Sequence, residues 1–123
     1  MTERGRLLVH LTCGVENPTR AALALLVAAT AAKDGHQVDV FIAGDGVSLL
    51  RPSTIAAVVG VGTGAVADHL DALRGAAAGL WASGQSSAAR GILPDDLSTV
   101  GFTASPPAKL VELVMTVDRV LTY

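Results

Sequence analysis

One cysteine, three histidines and a serine-rich loop are the residues of this chain whose types could do chemistry. Cys13 is the only thiol. It stands at the end of a strand-like run and just before a helix start, where backbone amides and Arg20 favour a thiolate while Glu16 opposes it. Free cysteine is also among the most buried residue types, so a structural role stays open beside a nucleophilic one. Ser83-Gly84-Gln85-Ser86-Ser87 offers three hydroxyls, an amide side chain and free backbone N–H groups at the entry to a short helix. Such a loop can hold an anion without lysine, and Arg90 lies close enough in sequence to add a charge. An ordinary polar turn with serine caps is the competing reading. His10 falls inside a strand, on the face opposite Leu7, Val9 and Leu11. His36 follows a helix-ending glycine, and His69 lacks an acidic residue at the i, i+4 spacing.

Several familiar chemistries are missing from the pattern. No Cys/His set has zinc spacing, so no metal is expected. Gly60-Val61-Gly62-Thr63-Gly64 lacks both the G-x-G-x-x-G spacing and a following acidic residue, and there is no Walker A loop, so no nucleotide cofactor is expected. Ala82-Ser83-Gly84 lacks the leading glycine of a G-x-S-x-G nucleophile elbow.

The elements that must position these residues alternate between strand and helix. Arg6–Thr12 (RLLVHLT) is nearly continuous in its apolar character, as a strand covered on both faces would be. Cys13–Asn17 breaks it. Asn17 then serves as an N-cap and Pro18 as the first helical residue, with the helix running to about Asp34 and Gly35 stopping it. Gln37–Ala43 is a second strand, ended by Gly44-Asp45-Gly46, and the three pieces make a right-handed βαβ unit. Val47–Arg51 reads as a short helical turn, and Thr54–Val61 stays open between strand and loop. Thr63 is expected to cap a helix reaching Ala78. Leu80–Ser83 is a short buried strand and Val100–Ala104 another. Ser105 is expected to cap a helix with Pro106 in its first turn, and Arg119–Tyr123 closes the chain as a strand. The expected architecture is a single α/β domain over 1–123, a three-layer sandwich on a mostly parallel sheet of about five strands. In such sheets ligands bind beyond the carboxyl ends of the strands. The candidate binding residues are therefore Gly14, Glu16, Asn17, Arg20, Gly44, Asp45, Ser83, Gly84, Gln85, Ser86 and Arg90, with Cys13 as the catalytic candidate.

Composition narrows the class. The 123 residues are 50% hydrophobic, 3% aromatic and 16% charged, with a formal net charge of −2. This is the reverse of a disordered chain. One cysteine makes no internal disulfide. A weakly acidic chain without a basic cluster is not built for nucleic acid or an anionic membrane. The uncharged core of the first helix, Ala21–Ala32, is shorter than the ~20 residues of a membrane span. No signal-peptide pattern opens the chain, so a cytoplasmic location is expected. That helix carries no polar residue between Ala21 and Ala32 except Thr30, so its outer face calls for burial by another subunit.

Three segments together resemble the DsrE/DsrF-like, or YchN-like, family of sulfur-relay proteins. They are LLVHLTCGVENPTRAALALLVAATAAKDGHQVDVFIAGDGVSLL (Leu7–Leu50), LWASGQSSAARGI (Leu80–Ile92) and KLVELVMTVDRVLTY (Lys109–Tyr123). The resemblance implies an α/β sandwich assembled as a homotrimer or hexamer. In the family's sulfur-relay members a cysteine eight residues before the glycine of the R-G pair carries a persulfide. Counting back from Gly91 gives Ser83, and a hydroxyl cannot become a persulfide. Two functional readings follow, beside a plainer one in which the chain is a structural oligomeric partner with no pocket chemistry. One is an oligomeric accessory subunit that binds a small anionic or polar ligand without catalysis. The other is a sulfur carrier or thiol-redox protein acting through Cys13.

Overall fold

In the computed structural model, which describes residues 4–123, five strands form one parallel sheet. They are β1 (Arg6–Leu11), β2 (Gln37–Ile42), β5 (Gly79–Ser83), β6 (Thr103–Ser105) and β7 (Arg119–Thr122), in the spatial order β6-β5-β2-β1-β7. The helices are α1 (Pro18–Lys33), α2 (Pro52–Ala57), α3 (Val66–Gly75), α4 (Gly84–Ala88), α5 (Pro94–Thr99) and α6 (Pro107–Thr116). A separate antiparallel ribbon joins β3 (Val59–Gly60) to β4 (Gly64–Ala65). The α/β sandwich and its five-stranded parallel sheet are as expected from the sequence.

Strand alternation sorts side chains onto two unequal faces. Val9, Leu11, Val38, Val40, Ile42, Leu80 and Ala82 point to one face. There they pack with Ala21, Leu25 and Ala28 of α1, with Leu70 and Leu73 of α3, and with Leu97 and Phe102. The other face is thinner: Leu8 and Phe41 pack with Leu113 of α6, with Trp81, Leu110 and Val117 at the margin. Trp81 is fixed from both sides. Its indole N–H donates to the buried Asp39 carboxylate at 2.9 Å, and the Lys109 ammonium lies 4.3 Å from the ring centre. Aromatic scarcity explains the alanine-lined contact of α1. Small side chains let helix and sheet approach closely, so burial rests on many small contacts.

The chain departs from the sequence expectation where short elements compete. The segment left open at Thr54–Val61 is α2 followed by the β3–β4 ribbon. Thr63 is not a helix cap: its hydroxyl donates to the Thr19 carbonyl at 3.0 Å, which pins the ribbon to α1, and α3 starts only at Val66. α3 also ends before Ala78, at Gly75, and Ala77 turns the chain with φ 56° so that Gly79 opens β5. Val100 ends α5 rather than opening a strand, and Asp96 of that helix accepts the Leu93 N–H at 2.8 Å. Ser105 closes β6, its hydroxyl donating to Thr103. The N-cap of α6 is Pro106, with Pro107 in the first turn.

Candidate functional site

The strand order reverses beside β1. From β1 the chain moves outward through β2, β5 and β6, then returns to β1's other side as β7. The helix after β1 covers one face and the helix before β7 the other, so the carboxyl ends of β1 and β7 flank a topological switch point. Thr12 sits there and ties the two strands. Its N–H and its hydroxyl both donate to the Tyr123 carbonyl, at 2.9 and 2.8 Å.

Three loops meet along this carboxyl edge. The first, 12–17, leads into α1. Asn17 accepts the Arg20 N–H at 3.3 Å, and Pro18 opens the helix as expected. Gly14 donates to the Glu16 carboxylate at 2.6 Å and is buried against the second loop. A Cβ there would lie 2.3 Å from both the Asp45 carbonyl and the Ser48 hydroxyl, so only glycine lets the loops touch this closely. Ser48 completes the junction by accepting the Val15 N–H at 3.1 Å.

The second loop is a 3₁₀ turn, Gly44–Leu49, and it docks on the third. Gly44 donates its N–H to the Ser86 hydroxyl at 2.9 Å. Arg90 reaches back from the end of α4 to Asp45 at 2.7 Å and to the Ser86 carbonyl at 3.0 Å. Arg51 in turn donates to the Arg90 carbonyl at 2.8 Å. Ser83 accepts the Ser86 N–H at 3.1 Å and so caps α4. Gly44, Asp45, Ser83, Ser86 and Arg90 are thus joined in one network, with Gly84 and the exposed Gln85 on its rim. The network spends much of what the sequence offers to an anion. The Arg90 charge is engaged by Asp45, and one α4 amide is engaged by Ser83.

Cys13 and Arg20 stand apart from that network. Cys13 is half-buried against the main core. Burial and the neighbouring Glu16 push its thiol above the ordinary 9.0, and Arg20 offsets this only in part. Of the opposing influences read from the sequence, burial and Glu16 outweigh Arg20. Arg20 instead holds its guanidinium 5.8 Å from the centre of the Tyr123 ring. Ser48, Arg51 and Tyr123 belong to the site and were not found from sequence. Ser48 lies four residues beyond Gly44 in a loop that reads as a turn, and nothing in its spacing marks the contact with Gly14.

Among the described residues no group of His, Cys, Asp and Glu is arranged to hold a metal ion. A groove of about 980 Å³ lies at the opposite end of the sheet, lined by Leu7, Leu26, Val27, Ala31, Arg119 and neighbours. None of the three loops contributes to it.

The sequence model of the DsrE/DsrF-like family matches residues 6–123. The chain belongs to the DsrE/DsrF-like family. Among solved structures it is similar to the YchN protein from E. coli, with a TM-score of 0.73 and 16% identity, over 98% of this chain and 100% of that one. It is also similar to BT1422, a conserved protein of unknown function from Bacteroides thetaiotaomicron. Here the TM-score is 0.73 and the identity 12%, over 97% of this chain and 95% of that one. At these identities the two structures establish a shared DsrE/DsrF-like fold. Comparison with curated proteins finds no match.

Proposed function

We propose that this DsrE/DsrF-like chain is an oligomeric accessory subunit of the sulfur-relay type. In this reading it binds a small polar or anionic ligand at the carboxyl edge of the sheet and carries no persulfide there. The observation that carries the reading is Ser83. It occupies the place, eight residues before Gly91, where the resemblance puts the family's sulfur acceptor, and its hydroxyl is used to cap α4. A hydroxyl in that position keeps the loop's shape and its hydrogen bonding without sulfur chemistry.

Gly44, Ser83, Gly84, Gln85, Ser86 and Arg90 are the ligand-facing set, and Gly14, Glu16, Asn17 and Asp45 shape its wall. A ligand with oxygen acceptors would compete with Asp45 for Arg90, whose pair is exposed and therefore exchanges at little cost. Small oxyanions such as sulfite, thiosulfate and phosphate are the probes. The expected result is a thermal shift with at least one of them that is lost in Arg90→Met. No shift with any oxyanion, or a shift that Arg90→Met leaves unchanged, contradicts the ligand assignment. Among the described residues no helix is long and apolar enough to cross a membrane. A cytoplasmic protein made of several copies of this chain, with no nucleic acid, fits the reading.

A second reading is favoured by one specific observation. Cys13 leaves β1 at the topological switch point, where open parallel sheets place their ligands. It would make Cys13 the sulfur carrier or redox thiol, and a raised thiol pKa weighs against it.

A further inference from the structure

Arg90 is the cation that the proposed function presents to a ligand, and a carboxylate of the same chain occupies it. Its Nη2 donates to Oδ1 of Asp45 at 2.7 Å. The two partners are held very differently. Arg90 is braced at three further points. Its Nη1 donates to the Ser86 carbonyl at 3.0 Å, and its backbone N–H donates to the Ser87 carbonyl at 3.0 Å. Its own carbonyl accepts from the Arg51 guanidinium at 2.8 Å. The Asp45 side chain is 67% exposed against 34% for Arg90. Arg90 is the only partner of its carboxylate among the described residues.

The backbone around Asp45 is fixed on both sides. Before it, Gly44 donates to the Ser86 hydroxyl at 2.9 Å. The Asp45 carbonyl itself is packed against Gly14, where an added Cβ would lie 2.3 Å away. After it, Gly46 donates to the Ala43 carbonyl at 3.1 Å and is buried. A Cβ on Gly46 would lie 2.9 Å from the Leu11 carbonyl. The 3₁₀ turn therefore stays in place, and only side-chain rotation moves the Asp45 carboxylate. Of the two partners, Arg90 is held and Asp45 is the one that leaves.

We infer that Asp45 is an internal competitor of the ligand. Its carboxylate occupies Arg90 in the free protein, rotates away when an oxyanion arrives, and so sets the concentration at which the site responds. This rests on the ligand reading above and adds the regulation of that same site. A guanidinium has five N–H donors, so an anion could reach Arg90 with Asp45 still in place. It would then stand beside a second negative charge, and like charges at that range repel. Anion and carboxylate are alternatives for this reason. Exposed ion pairs are weak, so the competitor raises the apparent Kd about two- to sixfold over that of an open Arg90. A displaced competitor penalises every oxyanion by the same factor. Repulsion from a fixed charge instead penalises a divalent anion more than a monovalent one.

NMR titration of the Gly44 and Ser86 amides tests it, with thiosulfate as the divalent probe and acetate as the monovalent one. Constant ionic strength keeps screening equal. Asp45→Asn keeps the side chain's shape and removes its charge, and Asp45→Ala leaves no acceptor at all. The expected result is a Kd about two- to sixfold lower in Asp45→Asn, by the same factor for both anions, with at least that gain in Asp45→Ala. No gain in either variant, or a gain larger for thiosulfate than for acetate, overturns the competitor role. Arg90→Met separates this from the ligand reading. A wild-type response that Arg90→Met abolishes and both Asp45 substitutions leave unchanged overturns the competitor alone. No response in the wild type or in either Asp45 variant overturns both.

Discussion

Cys13 and His10 show how position within one strand and its following loop decides reactivity. Burial and Glu16 both disfavour the Cys13 thiolate, so at neutral pH the thiol is largely protonated. Alkylation by iodoacetamide is expected to be slower at pH 7 than for an unstructured cysteine, to rise about tenfold per pH unit, and to level off only above pH 9.0, the ordinary thiol value. Fast labelling at neutral pH would restore the thiolate reading. His10 sits edge-on to Phe41, with ring centres 6.1 Å apart, and its Nε2 is buried without a partner. Burial lowers its pKa below the ordinary 6.5. The folded state therefore binds fewer protons than the unfolded one. The stabilisation from the neutral ring is present above 6.5 and is lost as pH falls through the folded value. Urea midpoints across this window are expected to fall with pH in the wild type and to fall less in His10→Gln. Equal slopes for the two proteins would contradict the assignment.

At the scale of elements, the three carboxyl-edge loops behave as one packed unit because Gly14 lets the first touch the second. Gly14→Ala forces a methyl against the Asp45 carbonyl, and overpacking of this kind costs about 1–3 kcal/mol. Denaturant unfolding checks the loss, and a value within error of zero would mean that the loops separate freely. The core of α1 offers a comparison: Leu25→Ala is expected to cost about 2–5 kcal/mol, because Leu25 is fully buried. Long elements with strong signals are legible in the sequence. The apolar runs of β1 and β2, Asn17-Pro18 at the start of α1 and Gly35 after its end all carry their own local cause. The elements that escaped the sequence are short. β3 and β4 are two residues each, and α2 and α5 six, so neither periodicity nor propensity accumulates over them. Tertiary contacts such as Thr63 to Thr19 and Asp96 to Leu93 decide them. At the site, residue identities and loop positions were legible. The Arg90–Asp45 pair was not, because it joins residues distant in sequence, whereas the Ser83 cap of α4 is local and was one of the two readings of that loop.

For the whole molecule, the alanine-rich and aromatic-poor composition takes on a specific meaning. It builds a thick core under α1 and a thin one under α6, and leaves Leu23, Val120 and Leu121 exposed around an open sheet edge. The single cysteine excludes an internal disulfide and leaves β1 at the switch point. In the proposed function Ser83 takes the place of the family's sulfur acceptor. The proposed function turns on that exchange. Intact mass after incubation with a persulfide donor tests it most directly, using the wild type, Ser83→Cys and Cys13→Ala. The account predicts no sulfur adduct on the wild type and a gain of one sulfur atom in Ser83→Cys. A wild-type adduct that disappears in Cys13→Ala would contradict it.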